Sequence, residues 1–249
     1  MKFRTFNDIH LDHKNNYTWI PKPLKEDKET VLFIPGDIAT FGTQHAVVDF
    51  LNTNAKRFRE IVLILGNHDY WGNTIEGTID ILKDKVNHTN VHILEKEVIE
   101  IDGVKIGGTT MWTPITHEMD KLRANGMMND FHLIKKFKAE DWNREFNLAA
   151  DWIKANPVDI LLTHFVPLRV FTPPMFIGDE ANFLFNCDIA AEMYHLQYTL
   201  PKYWLFGHTH WNFDVEVFGT KFICNAVGYT KFENTGTFKD EIIYEYNYY

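Results

Sequence analysis

Three chemically loaded side chains stand in a row in the segment LILGNHDYWG (63–72): Asn67, His68 and Asp69. An apolar run stops there at Gly66. A turn needs a glycine and a small polar residue such as Asn67. It has no use for an imidazole and a carboxylate as well. Four more apolar runs end in the same way. FNDIHLD carries Asp8 and His10, IPGDIA carries Asp37, LLTHFVP carries His164, and LFGHTHW carries His208 and His210. Imidazole nitrogens, carboxylates and one amide form a mixed donor set that suits Mn, Fe, Zn, Co or Ni better than Ca or Mg. In an extended segment residues i and i+2 point to one side. The D-x-H and H-x-H spacings therefore predict that Asp8 and His10 grip one ion and that His208 and His210 face one cluster. Glycines 36, 66 and 207 allow tight turns and close approach of the neighbouring side chains. So many donors are too many for one tetrahedral ion and suit two ions that share a carboxylate.

The elements that must position these residues alternate along the chain. Strand-like runs are read at 1–6, 30–37, 60–67, 157–164 and 203–210, each running into one of the polar tips. Helical patterns are read at 43–59, 74–86, 116–156 and 187–199, with Trp142 and Trp152 as core-facing anchors of the third. VHIL, EVIEI and VKIGGTT read as strands, with a hairpin at Asp102-Gly103. A second hairpin is read at 213–228 around Phe218-Gly219, and a last strand at 241–249 that offers an exposed edge or closes a sheet. No repeat and no linker composition interrupts the 249 residues, so the expectation is one α/β domain over 1–249. In open α/β sheets ligands gather at the carboxyl ends of the strands, which is where the polar tips lie.

The hydrophobic fraction of 45% and the charged fraction of 24% are those of an ordinary globular chain. A net charge of −9 disfavours extended nucleic acid, but not a phosphate substrate at a site where bound metal reverses the field. Cys187 and Cys224 are the only cysteines, which excludes a disulfide framework and fits a reducing, cytoplasmic setting. The first residues turn polar at once, unlike a secretory signal. No apolar run reaches the length of a membrane span.

The order D-x-H, G-D, G-N-H-D, H, G-H-x-H over residues 8–210 resembles the calcineurin-like binuclear metallophosphoesterases. The resemblance implies a sandwich of two mixed β-sheets flanked by helices. It implies two divalent transition-metal ions, with manganese the ion expected to support activity in vitro. Asp8, His10 and His210 would bind one ion, Asn67, His164 and His208 the other, and Asp37 would bridge them. His68 would lie outside the ligands as proton donor or phosphate contact, and Asp69 would orient it. A metal-bridging hydroxide would attack phosphorus. The second block reads GDIATFG, without the further Asp and Arg of the protein phosphatase branch, and the third ends in Asp69 rather than Glu. The expected activity is therefore phosphodiester hydrolysis. A phosphomonoesterase acting on metabolites or proteins, a nuclease, and a non-catalytic metal-binding scaffold are the alternatives. The partner is a small phosphate ester, such as a nucleotide, with no membrane; oligomeric state stays open.

Two segments are candidate lids or walls, 112–140 and 165–186. The second is rich in Pro and Phe, and follows His164 directly. Arg169 is a candidate phosphate contact, and Phe171, Met175, Phe176 and Phe183 are candidates to pack on an apolar substituent. In the first, Asn129 and Asp130 are candidate polar contacts. His13, just after the first block, is the remaining histidine of interest, and 228–236 is read as a mainly structural rim.

Overall fold

The computed structural model describes residues 1–230, 233 and 238–247. In chain order the strands are β1 (Lys2–Thr5), β2 (Thr30–Pro35), β3 (Glu60–Ile64), β4 (Val91–Ile93), β5 (Glu97–Ile101), β6 (Val104–Thr109), β7 (Ile160–Thr163), β8 (Tyr203–Leu205), β9 (Phe213–Val217), β10 (Thr220–Cys224) and β11 (Tyr244–Glu245). The helices are α1 (Gln44–Ala55), α2 (Ile75–Lys85), α3 (Glu118–Met127), α4 (Asp130–Leu133), α5 (Ala139–Ala155) and α6 (Ile189–His195).

The strands form two mixed sheets, ordered β11-β1-β2-β3-β4 and β5-β6-β7-β8-β10-β9. The central strands of both are parallel; β11, β5 and β9 are antiparallel edges, and β4 is a parallel one. Two hairpins supply edges of the second sheet. Each turns on a pair with φ > 0, Asp102 (55°) with Gly103 (76°) and Phe218 (54°) with Gly219 (77°), the conformation that matches strand twist. The last strand is shorter than 241–249: Tyr244 and Glu245 pair as an edge beside β1, Tyr246 exchanges backbone hydrogen bonds with Met1, and 248–249 lie outside the described residues.

Period-two alternation assigns each strand face to a different core. Val31 and Phe33 of β2 meet Phe3, Val62, Ile64, Ile106, Ile160 and Leu162 in the layer between the sheets. Leu32 and Ile34 face the other way, into the core that includes Val47, Phe50 and Leu51 of α1. Strands covered on both faces read as unbroken apolar runs, which is why TVLFIP and EIVLI look as they do. Burial of each such side chain stabilises the fold by about 1.5–3 kcal/mol.

The helical pattern at 116–156 resolves into α3, α4 and α5. Trp142 of α5 is fully buried, donates to Thr113 O at 2.6 Å, and packs on Trp112 and Phe165. Phe165 in turn lies 4.2 Å from the His208 ring, so the α5 anchor supports the site through one aromatic. Segment 165–186 forms three separate 3₁₀ turns, and its ends are joined where Val166 bridges Asn186. This is the build of a compact Ω-type loop. Cys187 and Cys224 are buried free thiols. No described helix is long and apolar enough to cross a membrane.

Candidate metal centre

Every expected donor lies just beyond the carboxyl end of a parallel strand: Asp8 and His10 after β1, Asp37 after β2, Asn67 after β3, His164 after β7, and His208 and His210 after β8. The tips are tied to one another by backbone. Asp8 N donates to Gly36 O, Ile9 N and His10 N to Asp37 O, and Gly207 N to His164 O. Two glycines leave room for the donors. A Cβ on Gly66 would lie 2.1 Å from Asp37 Oδ1, and one on Gly36, whose φ is +88°, would lie 2.6 Å from His164 Nδ1.

Asp8 and His10 come together, while His208 and His210 fall in separate donor groups, and the extended backbone assumed by the spacing argument is absent. The D-x-H and H-x-H segments are not extended. Asp8 (51°), His10 (49°), Asp37 (56°), His208 (69°) and His210 (49°) all have φ in the left-handed region. Such conformations cost of order 1–3 kcal/mol each and persist where the surrounding structure over-determines them. Five donors held this way lie at one spot, so the strain is concentrated where the chemistry is.

Three groups of donors result, each with ligand atoms within 4.8 Å of one another: Asp8 with His10 and His210, Asp37 with His164 and His208, and His10 with Asp37 and His68. Asn67 joins the second, since its Oδ1 lies 3.1 Å from His164 Nε2. Asp37 Oδ2 lies between groups, 3.8 Å from His10 Nε2 and 3.4 Å from His164 Nε2. On the other side His210 Nε2 is 3.5 Å from Asp8 Oδ1 and 3.0 Å from His10 Nε2.

These donors fit divalent ions. The Nδ1 of His164 is hydrogen-bonded to Pro35 O at 2.9 Å and that of His210 to Glu233 Oε2 at 2.7 Å, which leaves each Nε2 on the cluster. Metal-binding histidines are held in this way. Nε2 of His208 is buried without a hydrogen-bond partner, and a buried polar atom without one calls for an explanation such as an ion. The charge pattern agrees. Burial pushes the Asp8 carboxyl up, but His210 and His164 outweigh it and bring it to about 2. Burial likewise opposes ionisation of Asp37, and His164 and His68 outweigh it and hold it well below the usual range. Burial lowers His164 and His210, but Asp37 and Asp8 raise the first to about 9, and Asp8 with Glu233 raises the second to about 10. Burial brings His10 down to about 3 and lowers His208 as well. Two carboxylates thus draw positive charge into the cluster, and a metal binding there would release protons.

Asp69 does not orient His68. Its Oδ2 accepts from Asp37 N (2.8 Å) and Gly66 N (2.8 Å), and its Oδ1 from Ile38 N (3.0 Å) and Ala39 N (3.1 Å). The reason is topological. β2 and β3 are parallel neighbours, so their tips present unpaired N–H groups side by side, and Asp69 closes both. Burial, and then the nearby Asp37, raise the Asp69 carboxyl to about 7. His68 is placed by other means. Its backbone N donates to Asp37 Oδ1 at 3.0 Å, and its ring stacks on Trp71 at 3.7 Å.

Asp130, read from sequence as a candidate wall contact, is instead a buried support. Its Oδ1 accepts from Asn67 Nδ2 at 2.8 Å and Trp71 Nε1 at 3.3 Å. Glu233 plays the matching part for His210, and Asn7 for Asp8, whose Oδ2 accepts from Asn7 Nδ2 at 2.6 Å. Glu233 belongs to the 228–236 rim, of which 231, 232 and 234–236 lie outside the described residues. Tyr229 of the same rim packs on His10, His210 and His13, which is where His13 is spent. No motif marks Asp130 or Glu233; each comes from a segment whose approach only the fold decides.

A cavity of about 660 Å³ opens from Asp37, His68, His208 and His210 and runs between Met127-Met128 and the 165–186 wall. Phe171, Met175 and Phe176 line it, as the sequence suggests. Phe183 does not, since it packs against the core. Arg169 does not either: it is exposed, and its Nε pairs with Asp188 at 3.3 Å.

Comparison with known proteins bears on the fold and the family. A protein of Acanthamoeba polyphaga mimivirus described as uncharacterized is 24% identical over 93% of this chain and 92% of its own length. The crystal structure of the phosphopantetheinyl hydrolase from Mycobacterium tuberculosis superposes with a TM-score of 0.71 at 18% identity, covering 92% of this chain and 89% of that one. A putative 5′-nucleotidase from Staphylococcus aureus gives a TM-score of 0.50 at 12% identity, over 90% of this chain and 48% of that one. The sequence pattern of the calcineurin-like phosphoesterases matches residues 1–212, and with this match the chain belongs to the calcineurin-like phosphoesterase family.

Proposed function

We propose that this chain is a two-metal phosphodiesterase of small, soluble phosphate esters. The observation that carries the reading is the position of Asp37 Oδ2, within 4 Å of an imidazole on either side. Asp8, His10 and His210 would hold one ion and Asn67, His164 and His208 the other, with Asp37 shared. When bound, the ions supply positive charge to the phosphoryl oxygens and acidify water. His68 sits at the cavity floor with a ring steadied by Trp71, and serves as proton donor to the departing oxygen, worth about 10²–10⁴-fold. The described cavity lining carries no Lys or Arg. A monoester dianion is commonly clamped by such cations, so the lining favours the single charge of a diester. Proteins of this fold that are named for phosphopantetheinyl groups and 5′-nucleotides put both on the substrate panel.

The test is hydrolysis of bis(4-nitrophenyl) phosphate against 4-nitrophenyl phosphate by protein stripped of metal and refilled with manganese. Metal-restored turnover that favours the diester is expected. Preference for the monoester would move the reading to a phosphomonoesterase, and no turnover on either with two ions bound would favour a non-catalytic scaffold.

A further inference from the structure

The cavity is far larger than a phosphoryl group, and at about 660 Å³ it has the size of a site for a whole small molecule. Its far walls are apolar. Met127, Met175, Phe176 and Phe185 line it while 54%, 62%, 50% and 37% exposed. Exposed apolar side chains gathered on one concave surface mark a binding site. Methionine thioethers adapt to irregular apolar shapes, and three methionines line this cavity.

The polar groups there are largely engaged within the chain. Asn182 Nδ2 donates to Phe176 O at 2.7 Å, and Asn186 Nδ2 to Thr172 Oγ1 at 2.9 Å. Of the acidic groups on the described lining, Glu233 is paired with His210 at the cluster, and Asp179 stands on the far wall. Among the described residues, a substrate part lying on the far wall finds apolar contact and the carboxylate of Asp179, with no Lys or Arg on the lining.

We propose that the group esterified to the phosphate carries an uncharged, largely apolar arm that lies in this cavity, with Met127 and Phe176 as its main contacts, and that a negative charge at the far end of the arm is selected against. This rests on the reading that the phosphoryl group seats on the histidine and carboxylate cluster. The geometry is continuous: the same cavity has His68, His208 and His210 at its floor and the apolar wall above. The arm belongs to a soluble ester, because a chain of net charge −9 is repelled by an anionic bilayer.

The experiment measures binding without turnover. Manganese-loaded protein is titrated calorimetrically with methylphosphonate, octylphosphonate and 8-phosphonooctanoate. Octylphosphonate should bind at least about tenfold more tightly than methylphosphonate, since each methylene fully buried is worth about fourfold. The terminal carboxylate should cancel most of that gain. In the Met127→Ala/Phe176→Ala variant the octyl gain should fall below about threefold while methylphosphonate binds as before. Both positions are half exposed, so folding is not at stake. Equal binding of methyl and octyl probes to the wild type would overturn the proposal, as would an octyl gain that survives in the variant or is kept by the carboxylate probe. Sedimentation with anionic vesicles would overturn the soluble source. The chain-length series is read whether or not any ester is hydrolysed. Its failure with the diesterase active sinks the arm alone.

Discussion

Asp130 reaches across 63 positions of sequence to accept the Asn67 amide at 2.8 Å. An amide can present either its oxygen or its nitrogen. Because Nδ2 is committed to Asp130, Oδ1 faces His164 at 3.1 Å. Asp130→Ala should therefore weaken metal binding at the Asn67, His164 and His208 group by about 10–100-fold, the usual effect of losing a support of this kind. Asp130→Asn can still offer an oxygen to Nδ2 and should recover much of the loss. Manganese titration of the two variants checks this; unchanged affinity in Asp130→Ala would show that Asn67 needs no support.

Asp69 predicts stability where an orienting role for it predicts catalysis. Its carboxylate closes four backbone N–H groups at the tips of β2 and β3. Leaving buried donors unpaired costs about 1–3 kcal/mol each, partly relieved by water. Asp69→Ala should lose about 3 kcal/mol overall, which for a chain of this size lowers the melting temperature by about 6–12 °C. Thermal unfolding decides the matter. A variant with wild-type stability but a displaced pH–rate profile would restore the orienting role.

His68→Ala should keep both ions and lose about 10²–10⁴ of turnover, most on poor leaving groups. Metal analysis beside kinetics separates the two readings of His68. Its ligand atom also lies within 4.8 Å of those of His10 and Asp37. Loss of one ion on substitution would therefore make it a ligand.

A pH prediction comes from Arg4 of β1. Arg4, fully buried, donates to Asp27 Oδ1 at 2.7 Å, and Arg57 to Asp27 Oδ2 at 2.7 Å. Burial pushes the Asp27 carboxyl up, but Leu24 N–H, Arg57 and Arg4 outweigh it and hold it below its ordinary value. A depressed carboxyl stabilises the fold above its unfolded pKa, and that contribution is lost as pH falls through the folded value. Asp27→Asn should cost about 1–2 kcal/mol at neutral pH, because the charge-assisted bonds from Arg4 and Arg57 weaken while Arg4 keeps Asp240 and the Lys22 carbonyl. The gap between wild type and variant should narrow below about pH 4. Denaturant midpoints across pH test it; a constant gap would mean the pair contributes no charge term.

The donors themselves were legible in the sequence because metal chemistry restricts residue type, and because parallel strands deliver their tips to one edge. Asp8, His10, Asp37, Asn67, His164, His208 and His210 stand out as candidate donors by their types and their place after apolar runs; His68 and Asp69 share both, and only the resemblance to the family sets those two apart. The two-sided strands were legible for a similar reason: burial on both faces leaves TVLFIP and EIVLI without polar positions. What periodicity could not give was the backbone at the tips. It assumed extended geometry where five donors adopt φ > 0, since local pattern carries no information on conformations that only surrounding contacts can enforce. The supports were hidden as well. Asp69 next to His68 in sequence turned to the backbone of another strand, while Asp130 and Glu233, remote in sequence, became the partners of Asn67 and His210. A side-chain carboxylate accepts whatever donor the fold brings to it. Residue type fixed what could bind metal, and the packing of the two sheets decided which groups hold those residues in place.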